Sequence, residues 1–106
     1  MQAIRLALGK RGDVFLFRNN NGALRDKEGR LIRYGLGEGS SDLIGWTVRD
    51  GKAIFTAIEV KIPGHRTDPD RLEKQTNFIA VIKSAGGIAG FAETVEESED
   101  IINGTI

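Results

Sequence analysis

Apolar positions change their spacing several times along the chain, and each change predicts an element. Ile4, Ala7 and Leu8 recur at helical spacing in a short segment whose end is bracketed by Gly9 and Gly12. Val14-Phe15-Leu16-Phe17 reads as a strand, and Asn19-Asn20-Asn21-Gly22 behind it is a strong turn signal. A polar stretch leads to Leu31-Ile32-Arg33-Tyr34, a second strand or a loop crossing back, and then to a glycine-rich segment, Gly35 to Ser41, read as a flexible loop. Two β-prone runs, Asp42 to Arg49 and Lys52 to Lys61, flank Asp50-Gly51, the preferred chemistry for a two-residue hairpin turn. Thr67-Asp68-Pro69-Asp70 supplies a helix N-cap with proline at the first helical position, and that helix is expected to reach about Ser84 and stop at Gly86-Gly87. Ile88 to Ala92 reads as a short buried strand, and Thr94 caps a last acidic helix extending to about Ile102. This order predicts one α/β domain over residues 1–106, with helices around a mixed sheet.

The hairpin carries the candidate chemistry. With Asp50 and Gly51 as the turn, Arg49 faces Lys52, and the same register carried to the open end sets Asp42 opposite Glu59. Directly opposed residues have Cβ atoms about 4.5–5.5 Å apart. Alternation puts Glu59 and Lys61 on the face of Phe55 and Ala57, and Asp42 joins that face from the other strand. By the same parity Trp46 shares the Asp42 face and is expected to pack with Phe55 beneath the helices. Two carboxylates this close raise one another's pKa unless a cation lies between them. Hard oxygen donors of this kind suit Mg²⁺ or Mn²⁺, which keep several waters and accept substrate phosphate, with the Val60 carbonyl as a further ligand. Lys61 beside such an ion would orient or deprotonate an attacking water, or neutralise the developing phosphorane.

A Glu-x-Lys pattern is common, and an exposed cluster of this kind is an ordinary surface salt bridge worth about 0–1 kcal/mol. Two features weigh for a site instead. Glu59 and Lys61 end the most apolar strand in the chain, Ala53 to Ile58. Gln75 also interrupts the helical stripe of Leu72, Ile79 and Ile82, where a polar amide needs a partner.

Composition narrows the classes that remain. The 106 residues contain no Cys and one His, which excludes disulfide scaffolds, zinc fingers, cysteine nucleophiles and multi-His metal sites. No apolar run approaches the roughly 20 residues that span a bilayer, and no leader pattern opens the chain, so a cytoplasmic protein is expected. The 15 basic and 15 acidic side chains balance, but unevenly along the chain: residues 1–66 hold 12 basic against 7 acidic, and residues 67–106 hold 3 against 8. Such asymmetry points mildly to a polyanionic partner. Lys10, Arg11, Arg18 and Arg66 are candidate phosphate contacts, each also readable as solvated surface. His65 stands in a loop beside the proposed site, as a general base or, more commonly for such a residue, in contact with solvent or phosphate. The Gly35–Ser41 segment lacks the lysine that a phosphate-cradling P-loop requires.

Gly39-Ser40-Ser41-Asp42-Leu43-Ile44-Gly45, then Ile58-Glu59-Val60-Lys61, then Leu72-Glu73-Lys74-Gln75 resembles, in order and spacing, the VRR-NUC branch of the PD-(D/E)XK nuclease superfamily. The resemblance covers nearly the whole chain and fits the stand-alone, phage-type members best. It implies a restriction-endonuclease-like core of αβββαβ type and a Mg²⁺- or Mn²⁺-dependent, structure-selective endonuclease. Minimal members act as homodimers on branched DNA such as Holliday junctions, in a phage-encoded or bacterial cytoplasmic setting. By that match Asp42 and Glu59 are metal ligands, Lys61 is the catalytic lysine and Gln75 its helper. Two positions depart from the pattern: Ser41 stands where the superfamily name has Pro, and the acid of the family's first helix has no counterpart, with Gln2 near its place. The second departure keeps a rival in view, a weakly active or inactive DNA-binding module with the same fold. A nickase or flap nuclease is a third reading.

Overall fold

In the computed structural model, which describes residues 2–104, the chain forms α1 (Gln2–Gly9), β1 (Val14–Arg18), β2 (Gly22–Arg25), β3 (Leu31–Tyr34), β4 (Leu43–Arg49), β5 (Lys52–Val60), α2 (Pro69–Ser84), β6 (Ile88–Ala92) and α3 (Val95–Asn103). Strands β1, β4, β5 and β6 make a mixed sheet in the order β1-β4-β5-β6, antiparallel except for the β5–β6 pair. That is the expected mixed α/β sheet flanked by helices, with β2 and β3 added as a separate two-stranded ribbon.

Local chemistry explains most boundaries. Asp50 and Gly51 both adopt positive φ (51° and 73°), as a turn whose twist matches its strands requires. The ladder then runs without a bulge from Arg49↔Lys52 to Leu43↔Ile58. Helix α2 opens on Asp68, whose side chain accepts from Arg71 N–H, with Pro69 where a missing N–H costs nothing. Helix α3 opens with a reciprocal capping box between Thr94 and Glu97.

The sheet separates two apolar layers. On one face, Ile4 and Leu8 of α1 and Ile101 and Ile102 of α3 pack on Val14, Leu43, Ile58 and Ala92. On the other, Ile79 and Ile82 of α2 cover Ala57 and Ala89, with Ile44, Phe78 and Phe91 at the margin. No helix among the described residues is long and apolar enough to cross a membrane.

Three expectations are corrected. Trp46 does pair with Phe55 across β4 and β5, but both stay largely exposed rather than lying beneath a helix. Helix α2 covers the β5–β6 side of its face and reaches β4 only at Ile44, so Trp46 stacks instead on Phe15 at 5.4 Å between ring centroids. Leu72 is exposed, which confines the buried stripe of α2 to Gln75, Ile79 and Ile82. Finally, the Gly35–Ser41 segment is anchored at its end. Asn19 Nδ2 donates to Ser40 Oγ (2.8 Å) and to the Ser41 carbonyl (2.9 Å), Asn21 also donates to Ser40 Oγ, and both serines are buried. Gly39, at φ 83°, lets this loop press on α2, where a Cβ would meet the backbone of Lys74.

Candidate active site

The open end of the β4–β5 hairpin forms one wall of a cavity of about 610 Å³, lined among others by Arg18, Asp42, Glu59, Arg71 and Gln75. Asp42 lies one residue beyond the last paired position of β4 and turns its carboxylate across the ladder, where Oδ2 accepts from Val60 N–H at 2.9 Å. Its carbonyl accepts from Asn19 N–H at 2.8 Å, so the Asn19 turn and the β5 backbone fix Asp42 from two sides. The run Asn19-Asn20-Asn21 therefore does more than reverse the chain, a role that turn propensity alone does not reveal.

Glu59 comes from the end of β5 and is buried, at 4% exposure, beside Asp42. Its Oε1 accepts from Gln75 Nε2 at 3.1 Å, while no donor reaches Oε2. Burial pushes the Glu59 carboxyl up to about 8, helped by the Asp42 charge and a hydrogen bond shared with it, against the opposing pull of Lys61 and Arg71. Arg71, one turn before Gln75 on α2, went unnoticed in the sequence, because its place at the site depends on how α2 crosses the sheet.

Lys61 follows β5 directly, and its N–H donates to the Ala92 carbonyl at 2.8 Å, extending the β5–β6 pairing by one bond. Its Nζ donates to Gln75 Oε1 and, at 2.9 Å, to Thr67 Oγ1, and lies 5.3 Å from the centre of the Phe91 ring. The amide of Gln75, itself buried, thus spans carboxylate and ammonium: its nitrogen serves Glu59 and its oxygen serves Lys61. Asp42, Glu59, Lys61 and Gln75 are together in one cluster. Thr67 and Phe91 belong to it as well; Thr67 was legible only as part of a helix start, and Phe91 as a strand residue.

The other candidates lie apart from this cluster. Arg18 lines the cavity. Arg11 is committed elsewhere, to Asp13 (Nε–Oδ1 3.0 Å) and to Asn103 Oδ1 (2.9 Å), and Lys10 is exposed beside it. His65 and Arg66 are exposed in the β5–α2 connection, and neither lines the cavity. Gln2 is exposed on α1, does not line the cavity either, and α1 contains no acidic residue.

The donor set fits a hard divalent cation. It offers two adjacent carboxylates, one with a buried oxygen left unpaired, and that is where a positive charge would relieve both desolvation and like-charge repulsion. Among the described residues no three His, Asp or Glu side chains cluster closely enough to hold a metal by themselves, so the Asp42–Glu59 pair needs backbone, water or substrate oxygens to complete a shell.

The VRR-NUC domain model matches residues 20–96 of the 106, a span that holds β2 to β6, α2 and every member of the Asp42–Glu59–Lys61–Gln75 cluster. The chain belongs to the VRR-NUC domain family. The match begins after α1 and β1, so the helix with the unmatched Gln2 lies outside it. No curated protein matches the chain, and no solved structure does. Membership in VRR-NUC gives the domain a nuclease-type function, with DNA as the implied substrate.

Proposed function

We propose that this VRR-NUC domain is a metal-dependent, structure-selective DNA endonuclease that hydrolyses phosphodiester bonds in branched DNA such as Holliday junctions, acting as a homodimer. One observation supports it above the rest: a buried carboxylate with an unpaired oxygen sits beside a second carboxylate and is joined through one amide to a lysine. A structural ion pair has no use for that arrangement, since an unsatisfied buried carboxylate oxygen costs about 1–3 kcal/mol or more.

In this reading Asp42 and Glu59, with the Val60 carbonyl, hold Mg²⁺ or Mn²⁺. When bound, the ion lowers the pKa of water and screens the phosphate charge. Gln75 holds Glu59 through Oε1 and leaves Oε2 without a donor, so that this oxygen would be available to a cation. The same amide, with Thr67, holds the Lys61 ammonium where negative charge develops on the phosphoryl oxygens. Arg18 and Arg71 at the cavity wall attract the phosphates on either side of the scissile bond. Lys10, Arg11, His65 and Arg66 are more distant contacts to the DNA backbone, Arg11 only if it leaves Asp13. One domain presents one such site, so symmetric cutting of a four-way junction takes two copies.

The test compares four-way junction, flap and linear duplex as substrates, with and without Mn²⁺, beside calorimetric titration of Mn²⁺ into the protein. Junction cleavage that requires Mn²⁺ and is lost in Lys61→Ala, with junction binding retained, is the expected result. Preference for flap or duplex would favour the nickase reading. DNA binding without Mn²⁺ uptake or cleavage would favour an inactive module, which the lack of an acidic residue in α1 keeps as the rival.

A further inference from the structure

Glu38 stands in the wall of the catalytic cavity with a cation on either side. Its Oε1 accepts from Arg33 Nη1 at 3.0 Å, and its Oε2 accepts from Lys74 Nζ. Arg33 belongs to β3 of the ribbon and Lys74 to α2, so one carboxylate bridges two elements that are far apart in the chain. All three residues line the same cavity as Asp42 and Glu59. Arg18 and Arg71, the other basic residues of that wall, make no ion pair among the described residues. Asp68 and Asp70 line the cavity as well, but among the described residues neither makes an ion pair, so Glu38 is the acid seated on its cations.

That seat is open to exchange. The side chains of Arg33, Glu38 and Lys74 are each more than half exposed, so water weakens both pairs and a dissolved anion can reach the two cations. The turn that carries Glu38 is held by other groups. Ser40 N–H donates to the Gly37 carbonyl at 3.2 Å, Ser40 Oγ donates to it at 2.7 Å, and Gly37 N–H donates to Asn21 Oδ1 at 3.2 Å. The Glu38 carboxylate can therefore swing out without unfolding its loop.

We propose that Arg33 and Lys74 form a seat for a backbone phosphate of DNA, and that Glu38 occupies it as a stand-in until the DNA displaces it. A carboxylate and a phosphodiester each offer two oxygens to charged donors, so the same pair of cations serves both. Glu38 left in place would set its negative charge against the incoming phosphate, which favours exchange over simultaneous binding. A phosphate in the seat bridges ribbon and α2 as Glu38 does, and the cavity keeps its wall. The inference rests on the DNA reading of the cavity above; it adds a third phosphate contact to those of Arg18 and Arg71 and makes Glu38 a competitor of the substrate.

Fluorescence anisotropy with a labelled four-way junction and a labelled linear duplex, in metal-free buffer at neutral pH, tests it without cleavage. Wild type, Glu38→Gln, the pair Arg33→Gln with Lys74→Gln, and the triple variant are compared, each checked for folding by circular dichroism. Glu38→Gln is expected to bind both DNAs about 3- to 10-fold more tightly at low salt, the effect of removing two exposed competing pairs. Its plot of log K against log salt should be steeper by about 1, because in the wild type salt weakens the internal pairs along with the DNA contact and the two losses partly cancel. The Arg33→Gln, Lys74→Gln protein should bind more weakly than wild type, and adding Glu38→Gln to it should recover less than about 2-fold, since the three side chains act as one unit. A Glu38→Gln protein that binds no better than wild type overturns the inference and makes Glu38 a brace for its loop. An equal gain in the triple variant overturns it too, as an effect of net charge alone, and so does the absence of DNA binding by every protein. The nuclease reading fails separately. Tighter binding by Glu38→Gln in a chain that cuts nothing with Mn²⁺ supports the seat and sinks the nuclease; Mn²⁺-dependent cleavage with unchanged Glu38→Gln affinity does the reverse.

Discussion

The two ends of the β4–β5 hairpin are both polar, yet they are built on opposite principles. At the turn, Asp13 accepts from Arg11 and from Arg49 Nη1 (3.2 Å), Arg49 also donates to the Ile102 carbonyl, and water reaches the group. The Arg11 guanidinium beside Asp13 holds its carboxyl below the usual carboxylate range. At the open end Glu59 is buried beside the half-buried Asp42, no donor reaches one of its oxygens, and its carboxyl is pushed up to about 8. One end pairs Asp13 with two arginines and ties β1, β4 and α3 together; the other crowds two carboxyl groups, one of which keeps its proton up to about pH 8. A cluster that pairs opposite charges and one that crowds two carboxyl groups thus separate by the sign of their pKa shifts.

The contrast can be broken by substitution, and the largest expected effect is on catalysis. Lys61→Ala or Glu59→Gln should lower junction cleavage by about 10²–10⁴-fold in single-turnover assays. Glu59→Gln should also abolish the heat of Mn²⁺ binding; full cleavage by either variant would detach the chemistry from this end of the hairpin. The next effect is on pH dependence. Folded Glu59 keeps its proton up to about pH 8, while the unfolded chain loses it near the ordinary glutamate value of 4.5. The metal-free protein should therefore lose stability as pH rises between those values, with a slope of at most about 1.4 kcal/mol per pH unit. Thermal melts across that range should show the slope in the wild type, less of it with Mn²⁺, and none in Glu59→Gln, whose new amide donates to Asp42. The same slope in that variant would assign it to another group.

Gln75→Ala should come third. It removes the donor to Glu59 and the acceptor of Lys61 together, and urea unfolding should register a loss of about 1–3 kcal/mol. An unchanged midpoint would mean that water replaces the amide at no cost. The smallest effect belongs to the turn end. Asp13→Asn should cost about 0.2–1 kcal/mol and leave cleavage untouched, and because the Asp13 pKa is lowered, its contribution should fade as pH falls rather than as it rises. A large loss of activity in Asp13→Asn would erase the distinction between the two ends.

Much of the site was legible because it rests on short-range rules. A two-residue Asp-Gly turn leaves one register, and that register, carried seven pairs without a bulge, brings Asp42 to Glu59. The polar interruption at Gln75 signalled a buried partner by its helical spacing alone. Thr67, Phe91, Arg71 and Asn19 gave no such signal, since each reaches the cluster through the angle at which a loop or helix crosses the sheet. The exposed Trp46 was misplaced for a related reason: parity assigned it correctly to a face, but parity does not say how far a helix covers that face.

By itself the sequence determined the elements other than the β2–β3 ribbon, the hairpin register and the family, because caps, turns and the alternation of side chains act within a few residues. Tertiary structure alone decided that α2 covers β5 and β6 but leaves the β1–β4 aromatics open, and that β2 and β3 stand off as a ribbon. It also decided that one oxygen of Glu59 is left without a donor. These outcomes follow from the space left when separate elements pack together, and no short stretch of the chain encodes that space.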